Sequence, residues 1–335
     1  MLLKNFLSVC LILSGIVLSD SCNAQEIEQY FRSVEFSYQD ISGIGHEQGC
    51  SRRDPSDVIR VGDTWYVYYT KIYGRSPGYW GTLWYATSTD EGYTWKEQGE
   101  ILGPGNKGMF DSQATFTPNI LFASGKYYLY YTGVKPTPGN VNGEFENNST
   151  TDITAIGVAV SASPDGPFTR MHNGQPILKV SVEPEKFDSY RVDDAVLLYR
   201  NGLYWLYYKG RSRGHGSVGP RHTEMGVAFS KYPEGPFTNF DNPILPGSHE
   251  VMIWQQGTGI AALASLSSTF EYAPDGTDFL SNKIGVKVEN RPIAPGVFRQ
   301  DLTDPFVKGE GLSWGISMIH NGDEAYLVRY ELVSK

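Results

Sequence analysis

The sequence predicts an all-β chain built from repeated radial units, and three observations predict it. From Cys50 onward, short apolar and aromatic runs alternate with Gly, Pro, Asn and Asp turns, without long helical periodicity. One pattern then recurs: an apolar strand, a turn glycine and an aromatic strand. Asp54-Pro55-Ser56-Asp57-Val58-Ile59-Arg60-Val61 leads through Gly62 to Trp65-Tyr66-Val67-Tyr68-Tyr69. Thr117-Pro118-Asn119-Ile120-Leu121 leads through Gly125 to Tyr127-Tyr128-Leu129-Tyr130-Tyr131, and Asp194-Ala195-Val196-Leu197-Leu198 leads through Gly202 to Tyr204-Trp205-Leu206-Tyr207-Tyr208. Aligned on the turn glycine, Asp54, Thr117 and Asp194 fall in one column. A second anchor agrees, because Phe110-Asp111-Ser112 and Phe187-Asp188-Ser189 precede Thr117 and Asp194 by the same spacing.

The chain opens with a Lys4-containing head and an apolar run from Phe6 to Leu18, the layout of a signal peptide. Cys22-Asn23-Ala24 offers a small-residue cleavage site, so residues 1–24 are expected to be removed on export to the periplasm or the exterior. Ser19 and Asp20 make a poor context for a lipid anchor on Cys22. Cys50 is then the one cysteine left, which excludes a disulfide framework and is expected to be a buried structural thiol. No later run approaches the ~20 apolar residues of a membrane helix. Residues 25–44 read as a short arm, and residues 45–335 as one domain.

Each repeat has a second half. Leu83-Trp84-Tyr85-Ala86-Thr87-Ser88 runs to Ile101-Leu102, Ile156-Gly157-Val158-Ala159-Val160-Ser161 to Ile177-Leu178, and Met225-Gly226-Val227-Ala228-Phe229-Ser230 to Ile244-Leu245. Three four-stranded units at roughly 60 to 80 residues each indicate radial blades. A more divergent fourth unit begins near Glu250, and a fifth runs from about Ile293 to Leu332. The count gives a five-bladed β-propeller. Longer loops are expected over Lys135–Asp152 and Gly210–Thr223.

A formal charge of −9 argues against a nucleic-acid partner, which would need a basic footprint. Aromatics make up 13% of the chain, which suits strands and sugar-stacking surfaces. In a propeller the first strand of each blade faces the channel, so the column Asp54, Thr117, Asp194 lies around one mouth. Glu250 stands seven residues before Gly257, against eight for the two Asp residues, giving the order Asp, Thr, Asp, Glu. A single Asp at a strand start commonly caps a turn. Several in register converge on one cavity, where mutual repulsion must raise at least one pKa, as suits a general acid. One ionised base plus one protonated acid is what glycosidic cleavage needs. His249, beside Glu250, is a second candidate proton donor. His222 lies near a strand of the third unit, and His320 could line the channel. Asp111, Asp188 and Asp193 are rival acids, although Asp193 falls one place before the column. Ser88-Thr89-Asp90-Glu91-Gly92-Tyr93-Thr94-Trp95 matches a structural Asp-box hairpin, and Asn147-Asn148-Ser149-Thr150 fits glycosylation sequons. No His/Asp spacing makes a metal site; no cofactor is expected, with a structural cation in the channel left open.

Arg53-Asp54-Pro55-Ser56, Val192-Asp193-Asp194-Ala195 and Glu250 resemble the Asp, Asp, Glu set of five-bladed arabinanase-like glycosidases. His249-Glu250, with Phe110-Asp111-Ser112-Gln113 and Thr117-Pro118-Asn119, looks more specifically like glycoside hydrolase family 117. Its members are exo-acting α-1,3-3,6-anhydro-L-galactosidases (neoagarobiose hydrolases). The resemblance covers about Gly45 to Leu332. It implies Asp54 as the general base, Asp194 as the group that orients the site, and inversion at the anomeric carbon. It places the acid at Glu250 in the wider clan and at His249 in family 117. Thr117, Gln113 and Trp80 are implied sugar contacts. Both His249 and Glu250 are expected to line the site, with His249 giving the proton, Glu250 binding substrate or tuning the His, and the acidic neighbours holding the His249 pKa up. Family members carry an N-terminal helical arm that builds a swapped homodimer, but only about 25 mature residues precede the propeller here. Two other readings remain open from the sequence: an α-L-arabinofuranosidase or β-xylosidase, and a carbohydrate-binding propeller without catalysis.

Overall fold

The computed structural model describes residues 24–73, 81–135, 153–282, 284–302 and 311–335. Its strands form five antiparallel sheets arranged as blades in a ring. The first pairs the split strand Cys50–Arg53 and Ile59–Val61 with Thr64–Tyr73, followed outward by Thr82–Ser88 and Lys96–Leu102. The second runs Ala114–Ala123, Lys126–Lys135, Ile153–Ser161, then Thr169–Arg170 and Leu178–Lys179 on one edge. Arg191–Arg200, Leu203–Arg211 and Glu224–Ser230 build the third, edged by Thr238–Asn239 and Leu245–Pro246. The fourth is shorter: Ile253–Gln256, Gly259–Ala264, Thr269–Ala273 and Val286–Lys287.

Blade five closes the ring with both ends of the chain. Ile293–Val297, Trp314–Asn321 and Glu324–Ser334 come from the C-terminal end, and the outermost strand is Val34–Asp40, with Tyr38 opposite Tyr330. The stretch expected as an arm is therefore a helix over residues 24–32 followed by a strand that is part of the propeller. Ile27 and Phe31, one helical turn apart, share the face that packs on blades four and five. The Phe31 ring lies 4.8 Å from Phe270 and 6.2 Å from Trp254. No helix among the described residues is long and apolar enough to cross a membrane. Cys50 is buried and free, and burial pushes its thiol pKa up.

The tyrosine pairs noted in the sequence explain how neighbouring blades adhere. Successive strand residues point to opposite faces, so each pair serves two interfaces. Tyr68, Tyr130 and Tyr207 face the next blade and donate their hydroxyls to carbonyls there: Pro164 at 2.6 Å, Pro233 at 2.5 Å and Gly276 at 3.0 Å. Tyr69, Tyr131 and Tyr208 face the other way, and each donates to a carboxylate: Glu97 at 2.6 Å, Asp111 at 2.9 Å and Asp188 at 2.8 Å. Five of the apolar clusters match this plan, one at each interface, with the helix completing that between blades four and five. Burial of apolar surface there stabilises the ring by about 25 cal/mol per Å². Each phenolic donor finds a partner and so avoids the cost of an unmet buried hydroxyl.

Asp111 and Asp188 belong to this scaffold. Phe110 stacks on Tyr131 and Phe187 on Tyr208, both at 5.9 Å, over strand glycines. A Cβ at Gly210 or Gly226 would come 2.4 Å from the Phe187 ring, so only glycine admits the motif. The Asp-box turn is structural too: Asp90 Oδ1 accepts from the Thr94 amide at 2.8 Å and from the Ser88 hydroxyl at 2.7 Å.

Candidate active site

The column of the sequence reappears as a ring of backbone bulges. Asp54, Thr117, Asp194 and Ala294 have positive φ of 48°, 47°, 52° and 42°. The last three sit inside register shifts of their inner strands, at Phe116/Asn119, Asp193/Val196 and Ile293/Gly296. In blade one the strand is interrupted between Arg53 and Ile59. A bulge inserts a residue, breaks the in–out alternation and re-aims a side chain, which is why bulges collect beside functional sites. Blade four has no such bulge. Glu250 lies instead in a bend before Ile253, held by the buried Ser265 hydroxyl, which accepts from the His249 amide at 2.8 Å and the Glu250 amide at 3.1 Å.

All five blades meet at one cavity that opens to solvent. Asp54, Asp57, Thr117, Asn119, Asp194 and Glu250 line it, and Ala294-Pro295 supplies the fifth side.

Each mouth carboxylate has its own cation. Arg53 Nε lies 2.6 Å from Asp54 Oδ2, Lys209 Nζ lies 2.7 Å from Asp194 Oδ2, and Arg291 Nη1 lies 3.9 Å from Glu250 Oε2. Lys209 also lies 3.1 Å from Asp193, which is fully buried. Burial pushes the Asp193 carboxyl up, against the pull of Lys209. Thr117 carries no charge; its hydroxyl is 2.6 Å from that of Thr132, and its amide donates to Thr70 Oγ1 at 3.0 Å. Deeper in the channel, Asp57 accepts from the Val297 amide at 2.9 Å and from Arg299 at 3.2 Å. Arg299 also donates to Leu197 O at 2.8 Å and to Asp301, so this guanidinium ties blades one, three and five together. Burial pushes the Asp57 carboxyl up, and Arg299 opposes it. Among the described residues no group of three or more His, Cys, Asp and Glu is placed to hold a metal ion.

His249 corrects one expectation. Its pKa is lowered, first by the positive charge of Lys209 and then by burial; Glu250 and Asp194 pull the other way without winning. The acidic neighbours therefore do not hold it up. Its Nδ1 lies 3.0 Å from the Pro220 carbonyl, an acceptor only, so Nδ1 carries hydrogen and Nε2 is the titrating nitrogen. Thr223 Oγ1 is 3.3 Å from the same Nδ1. His249 is not among the cavity-lining residues, whereas Glu250 is.

The other sequence candidates are dispersed. Gln113 is half-buried, and its buried amide makes no hydrogen bond among the described residues. His320 stands exposed at the end of Trp314–Asn321 and does not line the cavity. His222 stacks on His215 at 4.7 Å in the loop of blade three. Trp80 and the Asn147–Thr150 sequons lie outside the described residues. Sequence reasoning missed Arg53, Asp57, Lys209, Arg291, Arg299 and Ala294. Two signals could have found some of them: Ala294-Pro295 repeats the dipeptide pattern of Asp54-Pro55 and Thr117-Pro118, and Lys209 breaks a threonine column.

Residues 50–196 match the model of the glycosyl hydrolases family 43. Among solved structures, the chain is similar to Zg3597, a family 117 glycoside hydrolase from the marine bacterium Zobellia galactanivorans, with 27% identity and a TM-score of 0.74 over 90% of both chains. It is also similar to a thermostable family-43 glycoside hydrolase, at 14% identity and a TM-score of 0.56, over 88% of this chain and 92% of that one. The endo-arabinase from Bacteroides thetaiotaomicron aligns at 15% identity and a TM-score of 0.51, over 89% and 99%. The last two likenesses speak to the fold alone. The sequence matches none of the curated proteins compared with it.

Proposed function

We propose that this propeller glycoside hydrolase is an exported, exo-acting enzyme. In this reading it releases 3,6-anhydro-L-galactose from the non-reducing end of neoagaro-oligosaccharides, with inversion. The observation that carries the reading is the convergence of Asp54, Asp194 and Glu250, from three blades, on one cavity. The choice of sugar rests on the likeness to a family 117 enzyme across 90% of the chain. The apolar leader in the sequence supports export.

In this mechanism Asp54 is the general base. Arg53 keeps its carboxylate oriented, and an ionised carboxylate can take a proton from a water attacking the anomeric carbon. Glu250 faces the same cavity and gives the proton to the departing oxygen. The place of Glu250 on the cavity wall, which His249 does not share, favours Glu250 as donor and gives His249, with Nδ1 committed to Pro220, a supporting part. Asp194, fixed by Lys209, orients the sugar and stabilises positive charge that develops at the anomeric centre. No cofactor enters any step.

The test is a screen of the purified protein on neoagarobiose, arabino-oligosaccharides and xylo-oligosaccharides, with Asp54→Asn as control. The expected result is release of 3,6-anhydro-L-galactose, reduced at least ~10²-fold in kcat by Asp54→Asn. Release of arabinose or xylose alone would replace the sugar, in line with the family 43 match. Cleavage of none of the three would overturn the reading.

A further inference from the structure

Lys209 is the charge in the site that the repeat does not explain. The residue before each column position pairs across the sheet with one residue of the second strand: Arg53 with Thr70, Phe116 with Thr132, Asp193 with Lys209. Blades one and two place threonine there, and its hydroxyl serves Thr117 in both cases. Blade three replaces that small hydroxyl with a buried ammonium. Its partners are unusual as well. Asp193 and Asp194 are sequence neighbours and in a regular strand would point to opposite faces. The bulge at Asp194, with φ of 52°, turns both carboxylates onto the one ammonium, at 3.1 and 2.7 Å. Asp193 is inaccessible to solvent and does not line the cavity, while Asp194 does.

We infer that Lys209 is a positioning residue of this site: held from behind by buried Asp193, its ammonium fixes the Asp194 carboxylate in the cavity and sets the electrostatic environment of the His249 ring. The inference rests on the glycosidase reading of the cavity. The ionic groups acting on His249 are Lys209 from the second strand of blade three, Asp194 from its inner strand, and Glu250 from its own bend. The Pro220 carbonyl and the Thr223 hydroxyl meet Nδ1 from the loop of blade three. Lys209 is the strongest of these influences and works against protonation. Behind it, Asp193 also faces Arg191. Asp193 thus offsets part of the charge that Lys209 presents forward.

Removing the ammonium behind the cavity should therefore move His249. The measurement is the pH titration of the imidazole signals by proton–nitrogen NMR, with the His249 signals identified by their loss in His249→Gln. Lys209→Gln removes a nearby positive charge, so the His249 midpoint should rise. Lys209→Arg, which keeps the charge, should leave the midpoint close to wild type. In turnover, Lys209→Gln should lower kcat by ~10²-fold with a smaller change in KM, and Lys209→Arg should recover most of it. A folded Lys209→Gln with an unmoved His249 titration overturns the inference. If Lys209→Gln does not fold, a folded Lys209→Arg whose His249 midpoint departs clearly from wild type overturns it equally. The titration needs no substrate, so its failure sinks this inference alone, whereas failure to cleave any oligosaccharide sinks the glycosidase reading.

Discussion

Glu97→Gln should cost this fold about as much stability as the removal of a large core side chain. Glu97 accepts from Arg52 Nε at 2.9 Å, Lys71 Nζ at 2.5 Å and Tyr69 Oη at 2.6 Å. The Arg52 and Lys71 side chains are each only 4% exposed, and that of Glu97 is 20% exposed. Burial alone would push the Glu97 carboxyl up, but the hydrogen bonds from Arg52, Lys71 and Tyr69 outweigh it and hold the pKa at about 2, against 4.5. At 1.36 kcal/mol per pH unit, that difference is worth ~3 kcal/mol. The figure agrees with the ~3–5 kcal/mol lost when one partner of a buried ion pair is removed and the others stay charged. Because the folded pKa is depressed, this stabilisation is fully present above about 4.5 and is lost as pH falls toward about 2. The assay is urea unfolding followed by the fluorescence of the seven tryptophans, for wild type and Glu97→Gln, at pH 7 and in steps below pH 4.5. The variant should be less stable by ~3 kcal/mol at pH 7, with the gap closing as pH falls. A gap below ~0.5 kcal/mol at pH 7, within the range of ordinary surface substitutions, would refute the reasoning. So would a gap that stays constant with pH.

Two further outcomes follow from the same geometry. Tyr208→Phe removes a 2.8 Å hydrogen bond to buried Asp188 and should cost ~1.5–3 kcal/mol, measured by the same unfolding assay. Burial already raises the Asp188 pKa and Tyr208 counteracts it, so the loss should widen between pH 4 and pH 8 as the less favoured carboxylate forms. Glu250→Gln and His249→Gln should separate on a substrate whose activated leaving group needs no proton. Such a substrate should largely restore turnover in Glu250→Gln and not in His249→Gln, and the reverse pattern would return the donor role to His249.

The ring was legible because it is written three times. The turn glycines, the tyrosine pairs and the column Asp54, Thr117, Asp194 are periodic, and a periodic backbone keeps equivalent residues at equivalent radii. The column of the sequence became the ring of bulges, and Glu250 was found from its offset to Gly257. What escaped were features that sequence spacing does not encode. Val34–Asp40 joins blade five through a pairing of residues almost three hundred positions apart, and strand register across such a distance leaves no local mark. Ala294 holds the bulge in blade five without a carboxylate, so a search for acids passes over it. Arg53, Lys209 and Arg291 are single cations whose significance comes only from the carboxylate each one meets. The direction of the His249 shift was misjudged for the same reason: its two acidic neighbours were visible in the sequence, and the nearby Lys209, forty residues earlier, was not. His320 was expected only from its place in the last blade, and it stands exposed at the end of its strand.

The central claim is that Asp54 activates water across the cavity from a proton donor, in a single displacement. Proton NMR of the first-formed sugar, recorded before mutarotation, tests it most directly. The account predicts that cleavage of neoagarobiose gives 3,6-anhydro-L-galactose with its anomeric configuration inverted, and that Asp54→Asn abolishes this early signal. A retained configuration would mean a covalent glycosyl intermediate and would contradict the role given to Asp54.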